Sequence, residues 1–512
     1  MLSLANEKLA AELTVRPNTA FLTASRQPPI AILGVPFDNV STVQAVAAIE
    51  EMVASGSPHY LVTANVDFLV QAQEDVELHR ILFEAHLVLC DGTPLLWASR
   101  LLGNPLAERV AGADLVPLLI EVAVQRKYRV FFLGATPESS QAAVNNIKRH
   151  NPELIVAGHY SPPFGKLLEM EHEEIKRRIQ GARPDLLFVS FGCPKQEKWI
   201  AMHYRSLGVP VAVGVGATID FLAGQVKRAP VWMQRSGTEW VFRLAQEPRR
   251  LFRRYAKDFW VFGYGLLLQW WRLRRASRLR GEENGAKSLP HLAIQESDFQ
   301  IRRMPVRFDL EAACKGDLSV EQILNDGRPC FLQMDGVEFI DSTGVGVLIQ
   351  LQKRLKSSGS DLVLLSPGEV AEKSLKLLHL DEFFAKAKDV AEAKQLLHAR
   401  SLEAVVAVAW DSSTCHLRWL GEITAVNAAE VWADCQRHLR NAAESSQPEV
   451  IIDLSAVRFI DSSGLGAMVK VKRLAQRHGT KLVFKKPQPA VLNVLHLSRL
   501  EDFLLGHVRT SS

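Results

Sequence analysis

The residues able to do chemistry in the first half of this chain stand where apolar runs end. Thr63 and Asn65 close HYLVTANV, and Asp91 closes LVLCDG. AERVAGADL places Arg109, Gly112 and Asp114 before a helical pattern, and Gly134 ends FFLG at the start of another helix. FGCPKQEKW sets Lys195, Gln196 and Glu197 behind a Gly and a Pro, and GVGATIDFLAGQVKRAP carries Asp220, Lys227 and Arg228. These are residue types for proton transfer and anion binding, and the free backbone N–H groups after Gly134 could receive a phosphate. Singly each is weak. An isolated Asp-Gly at a strand end is ordinarily a turn. The lone G-x-G at Gly214 and Gly216 lacks the second half of a dinucleotide fingerprint.

The elements that would position these groups are legible in the pattern. AILGV, HYLVTANV, LVLCDG, YRVFFLGA, LIVAGHY, DLLFVSFG and VPVAVGVGA are short and continuously apolar, with amphipathic segments between them. Continuous apolar runs suit parallel strands buried on both faces, and the intervening segments suit crossover helices. In such open α/β sheets, ligands bind at the carboxyl ends of the strands, where these polar residues fall. The expected fold class is α/β, Rossmann-like, with two small α/β domains behind it.

The ordered blocks TAN, CDGTPLLWASRLLG, ERVAGADL, VFFLGA, FGCPKQEKWI, GVGATIDFLAG, KRAP and EWVFRLAQEPRRLFRRY resemble the WecG/TagA/CpsF family of glycosyltransferases across about residues 30–262. The resemblance implies sugar transfer from a UDP-sugar donor, of N-acetylhexosamine type, to a polyprenyl-diphosphate-linked saccharide in envelope polysaccharide synthesis. It implies that Asp91 is the base that takes the acceptor hydroxyl proton in an inverting reaction. Thr63, Asn65, Arg109, Gly134 and Gln196 would then hold the donor sugar and diphosphate, and Asp220 the uridine. Arg243, Arg250 and Arg253 would contact the lipid diphosphate. The aspartates of the first domain never fall two apart, so no Asp-x-Asp metal motif exists there. No metal and no cofactor are expected; arginines and backbone N–H groups would neutralise the leaving diphosphate. Ser190, Cys193 and Thr218-Ile219 depart slightly from the common pattern of the family.

From Arg243 to Arg280 eleven Lys and Arg face two acids, Glu247 and Asp258, with eight aromatic residues among them. Such a segment suits an anionic membrane surface, WVFGYGLLLQWW in the headgroup region and the basic residues on the lipid charge. A solvated covering helix is the plain alternative. Nucleic acid is not expected as a partner, because no base-reading motif accompanies the charge.

Further on the chain repeats itself. Residues 341–384 align without gaps on 461–504, an offset of 120, with Asp, Ser, three Gly, a Leu-Val pair and a Pro in register. FIDS[ST]G[LV]G resembles the STAS domains of anti-sigma-factor antagonists, in which a hydroxyl of this turn is phosphorylated by a kinase. That implies Ser342, Thr343, Ser462 and Ser463 as phosphorylation candidates, and a kinase or another STAS protein as partner. The plain alternative is that these hydroxyls only cap a helix. STAS folds also serve as dimerisation units, so a homo-oligomer fits.

The domains are therefore expected as an N-terminal tail 1–28, a transferase 29–242, a basic aromatic appendage 243–275, a linker 276–304, and repeats 305–399 and 402–509. Net charge is only +5, and 47% of residues are hydrophobic. Six scattered cysteines without a Cys-x-x-Cys pair suit a reducing cytosol. Glu7, Lys8 and Glu12 interrupt the first apolar run, and no stretch reaches the eighteen or so apolar residues that spanning takes. The chain is expected in the cytoplasm, peripheral on the inner face of the cell membrane. The competing reading is a STAS-based signalling adaptor with a degenerate transferase.

Overall fold

The computed structural model describes residues 27–226, 228–235, 238–278, 294–295, 298–381, 383–401, 406–411, 414–443 and 449–506. The expected tail 1–28 lies almost wholly outside the described residues. The chain then opens with a hairpin, β1 (Gln27–Ile32) paired antiparallel with β2 (Val35–Asn39). This corrects the reading of AILGV as one strand of the parallel sheet. Leu33 and Gly34 both take positive φ, 48° and 83°, the conformation of a two-residue hairpin turn that splits the run.

The other six runs form one sheet. Its strands are β3 (His59–Ala64), β4 (Leu87–Cys90), β5 (Arg129–Gly134), β6 (Ile155–Tyr160), β7 (Leu186–Ser190) and β8 (Val211–Gly214). They pair parallel throughout, in the order β4-β3-β8-β7-β5-β6. Alternate side chains feed two cores, Val62, Val88, Leu133 and Leu187 on one face and Leu61, Leu89, Phe132 and Phe188 on the other. β3 leads to the edge strand β4, the chain then crosses to β5 and β6, and β7 and β8 fill the sheet back toward β3. The carboxyl ends of these strands form the crevice where α/β sheets bind ligands.

Five helices border that crevice or carry the contacts of the tail: α1 (Val76–Glu84), α2 (Gly112–Arg126), α3 (Lys195–His203), α4 (Glu239–Gln246) and α5 (Pro248–Arg278). At 3.6 residues per turn α5 has two opposed faces. Leu251, Asp258, Phe262 and Gln269 are buried on one; Phe252, Phe259, Trp260, Tyr264, Leu267 and Trp271 are exposed on the other. No described helix is long and apolar enough to cross a membrane.

Each repeat of the tail is a small α/β unit. In the first, strands Gln300–Arg303, Cys330–Gln333, Leu362–Leu365 and Ala385–Ala387 run parallel. Gln300–Arg303 lies in the expected linker 276–304, so the first unit begins before residue 305. The polar sequence QIRR hides a strand whose Gln300 is fully buried. In the second unit Glu449–Ile460 is one 12-residue strand, where the first is broken into Cys330–Gln333 and Phe339–Ile340 by the Asp335-Gly336 segment. Helices α6 (Ser342–Ser357) and α7 (Ser462–Arg477) follow those strands.

Both units sit on the transferase. α6 lies along β1 so closely that a Cβ on Gly346 would come within 2.7 Å of the Pro29 carbonyl oxygen. Ala31 and Phe83 of the transferase belong to the same buried cluster as Leu348, Leu364 and Leu378 of the first unit. The second unit is held by Arg80, whose guanidinium pairs with Glu422 at 2.5 Å and covers the Phe459 ring at 4.5 Å.

Candidate active site

The carboxyl ends of β3, β4, β7 and β8 gather most of the expected residues. Asp91 follows β4, and its Oδ2 accepts from the Gly112 N–H at 3.4 Å. Gly112 opens α2 in tight quarters, since a Cβ there would lie 3.0 Å from Thr63 Oγ1. Asp91, Thr63 and the start of α2 are thereby packed together. Burial pushes the Asp91 carboxyl up to about 6, against the pull of Arg109 and Arg243, with Glu239 adding to the rise. Its neighbour Cys90 is pushed up to about 12 by burial and by Asp91, which leaves a neutral thiol.

Over Asp91 stands a cluster of guanidiniums. Arg109 donates to Asp114 at 3.0 Å and to Glu239 at 3.3 Å. Arg228 donates to Asp114 at 2.6 Å, and Arg243 to Glu239 at 2.7 Å. Glu239 and Arg243 arrive on α4, at the entrance to the appendage. That segment therefore supplies a wall of the site. Arg253, exposed on α5, lines an apolar groove with Val241, Leu244, Pro248, Arg249 and Phe252. Arg250 is on the same helix; its side chain lies outside the described residues.

Three expected donor contacts have duties inside the protein. Asn65 caps the helix Val66–Glu74, its Oδ1 accepting from the Asp67 and Phe68 N–H groups. Gln196 is buried; its Oε1 accepts from the Gly192 and Gly216 N–H groups, and its Nε2 donates to Glu197. It ties the loop after β7 to the loop after β8. Gly134, with φ 101°, passes so close to the Ser190 carbonyl that no other residue fits. Asp220 lies in the short helix Thr218–Leu222 that follows β8.

Residues to which the sequence alone gives no role complete the surroundings. Arg228 is visible in KRAP and Glu239 in EWVFRLAQ, but nothing in their spacing tells that they meet. Glu197, fully buried beside Gln196 and Cys193, is pushed up to about 7 by burial. Arg254 pairs with Asp67 at 3.0 Å and ties α5 to the site's floor.

The four tail hydroxyls occupy first helical turns, but the caps are not theirs. Asp341 Oδ1 accepts from the Thr343 and Gly344 N–H groups, and Asp461 Oδ1 from those of Ser463 and Gly464. This corrects the hydroxyl-cap reading: the helices begin earlier than that reading requires, with Ser342 and Ser462 as their first residues, and the preceding carboxylate takes the cap. Ser342 Oγ accepts from Gln269 Nε2 at 2.7 Å, and Thr343 Oγ1 from Asn104 Nδ2 at 3.1 Å. The Ser462 N–H and hydroxyl both donate to Glu77, at 2.6 and 2.8 Å. These three are buried against the transferase, whereas Ser463 is partly exposed.

Residues 30–276 match the family model of the "Glycosyl transferase WecG/TagA/CpsF family". They are also 32% identical over 237 residues to the N-acetylglucosaminyldiphosphoundecaprenol N-acetyl-beta-D-mannosaminyltransferase of Staphylococcus aureus strain MRSA252, covering 46% of this chain and 91% of the relative. The chain belongs to the WecG/TagA/CpsF glycosyltransferase family. The same enzyme of S. aureus strain NCTC 8325 / PS 47 matches with the same identity and coverage. Behind the WecG/TagA/CpsF domain, residues 308–393 match the STAS domain and 406–506 the Mlab, STAS domain. A putative anti-sigma factor antagonist of Thermotoga maritima is 28% identical over 21% of this chain and 94% of its own, with a TM-score of 0.20. The protein is a glycosyltransferase carrying two STAS domains.

Proposed function

We propose that the WecG/TagA/CpsF domain is an inverting, metal-independent enzyme that transfers an N-acetylhexosamine from a UDP-sugar to a polyprenyl-diphosphate-linked saccharide. The acceptor hydroxyl oxygen attacks C1 of the donor sugar as the bond from C1 to the UDP oxygen breaks. The hydroxyl proton passes to Asp91, and UDP leaves against guanidinium groups. The observation that carries this reading is Asp91 itself, a half-buried carboxylate pushed up to about 6 by desolvation beneath Arg109, Arg228 and Arg243. Such a group is ionised at neutral pH yet basic enough to take a proton in the transition state. The activity for which the staphylococcal relatives are named, mannosaminyl transfer to a diphosphoundecaprenol-linked sugar, supports the choice of acceptor.

The exposed aromatic face of α5, with Trp260 at 73% exposure, and the basic residues around it support a peripheral seat on an anionic inner membrane face. Binding to anionic vesicles that weakens with salt would accompany it. The STAS pair supports a regulatory tail, with a kinase as partner and Ser463 as the hydroxyl within its reach in the docked state.

The deciding experiment is turnover of UDP-N-acetylhexosamines with an N-acetylglucosaminyl-diphosphate-polyprenol acceptor in EDTA. Asp91→Asn is expected to keep UDP binding and lower kcat by about 10²–10⁴-fold. A variant with wild-type rate would remove Asp91 from the reaction, and loss of wild-type activity in EDTA would overturn the metal-free reading.

A further inference from the structure

We infer that Glu239 is a built-in stand-in for a substrate diphosphate, holding Arg109, Arg228 and Arg243 over Asp91 until the diphosphate displaces it. This rests on the reading of the site as a diphosphate-binding transferase centre. The carboxylate is 8% exposed and comes from α4, not from the sheet. Arg109 reaches it at 3.3 Å and Arg243 at 2.7 Å, and Arg228 Nε stands 3.9 Å away. Two convergent guanidiniums with a third close by exceed what one surface carboxylate ordinarily gathers. They match the charge and the several acceptor oxygens of a diphosphate.

Arg228 supplies an independent sign. Its Nη1 is bonded to Asp114, but its Nε and Nη2 are buried without a hydrogen-bond partner among the described residues. Buried guanidinium N–H groups are costly to leave unbonded, so two donors here point to an acceptor that arrives from outside. The local charge is already balanced by Asp91, Asp114 and Glu239 against the three arginines. A diphosphate entering that set would meet Glu239 as a like charge a few ångströms away. Exchange of one anion for the other keeps every guanidinium paired at each stage, which avoids a buried unpaired cation in the empty enzyme. Glu239 occupies the first position of its helix, where its side chain can swing outward without unwinding a turn.

The diphosphate belongs to the nucleotide donor or to the lipid-linked acceptor, and the test separates them. Binding of inorganic pyrophosphate, UDP and farnesyl diphosphate to the full chain would be measured by calorimetry for wild type, Glu239→Gln and Glu239→Asp. Glu239→Gln is expected to bind pyrophosphate about tenfold more tightly, because a competing charge is gone. Glu239→Asp, which keeps the charge, should return toward wild type. Tightening of UDP alone assigns the site to the donor, and tightening of farnesyl diphosphate alone to the acceptor.

A second readout is the acid limb of kcat/KM. Asp91 faces Arg109, Arg228, Arg243 and Glu239, with the Gly112 N–H and the Cys90 thiol beside it. Glu239 raises its pKa, so Glu239→Gln should move that limb below pH 6. Weaker pyrophosphate binding in Glu239→Gln, with the limb unmoved, would overturn the inference and make Glu239 a plain organiser of the arginines. Failure of wild type and variant alike to bind any of the three probes would instead overturn the diphosphate reading beneath it.

Discussion

The two STAS turns share one motif and one cap, yet they sit on the transferase in chemically different ways. The first, around Ser342 and Thr343, meets backbone and neutral amides: β1 under Gly346, Asn104 and Gln269. The second, around Ser462, meets a charged network of Glu77, Lys198 and Asp75. Below Gly466, the equivalent of Gly346, the nearest neighbour of a Cβ would be Leu168 Cδ2 at 3.9 Å. A repeated sequence thus fixes the turn and leaves the seat to be chosen by the surface opposite. The first seat is decided by shape and the second by charge.

Matched substitutions would break or sharpen this contrast. The largest difference is expected between Gly346→Ala and Gly466→Ala. The first methyl meets a backbone carbonyl that cannot step aside, and overpacking of this kind costs about 1–3 kcal/mol. The second has ordinary contact distance and should be neutral or stabilising by up to ~1 kcal/mol through helix propensity. Thermal unfolding with amide exchange on β1 reads both, and equal effects would erase the distinction.

A smaller difference is expected between Ser462→Ala and Ser342→Ala. A hydroxyl donating to a charged carboxylate contributes about 1.5–3 kcal/mol, and one accepting from a neutral amide about 0.5–1.5. Double-mutant cycles with Glu77→Gln and Gln269→Met isolate the two couplings. A larger coupling at Ser342 would refute the assignment of charge to the second seat.

The smallest effect concerns pH. Asp341 is pushed up to about 6 by burial, with Asp309 adding and the Thr343, Gly344 and Leu310 N–H groups opposing. Asp461 is pushed up to about 7 by burial and Glu77, with the Gly464, Ala425 and Ser463 N–H groups opposing. Both values lie above the ordinary carboxylate value of about 3.9, so the folded state binds protons that the unfolded state has lost. Each contribution is complete below about pH 4 and disappears as pH rises through the folded value. Between pH 6 and 7 the second unit should go on losing stability after the first has levelled off. Amide exchange in α6 and α7 over that interval, with Glu77→Gln reducing the contrast, is the check; parallel behaviour of the two helices would contradict it.

Much of this is legible in the sequence, and the exceptions have physical reasons. Strands buried on both faces announce themselves as apolar runs, so β3 to β8 can be read directly, and with them the strand-end positions of Thr63 and Asp91. The hairpin of β1 and β2 escapes such a reading because AILGV looks continuous until Leu33 and Gly34 turn it. Gln300–Arg303 escapes it because a strand with charged residues carries no apolar run. The meeting of Arg109, Arg228 and Glu239 links segments more than a hundred residues apart, and no local pattern encodes it. The docking of the tail is equally hidden. Ser342, Thr343 and Ser462 look like free hydroxyls until the surfaces of Gln269, Asn104 and Glu77 are set against them.

The Gln269 side chain bears on how the protein is made. Its Nε2 donates to the Ala31 carbonyl and to Ser342, and its Oε1 accepts from the Leu33 N–H, so one side-chain amide joins the first hairpin, α5 and the first STAS unit. These parts do not emerge from the ribosome together. At roughly 5–20 residues per second, several seconds separate synthesis of α5 from that of α6. Through that interval the nascent transferase holds its opening hairpin without its cover, with Ala31 and Phe83 in water. The hairpin is made early and enclosed late, so its final packing waits for the domain behind the transferase.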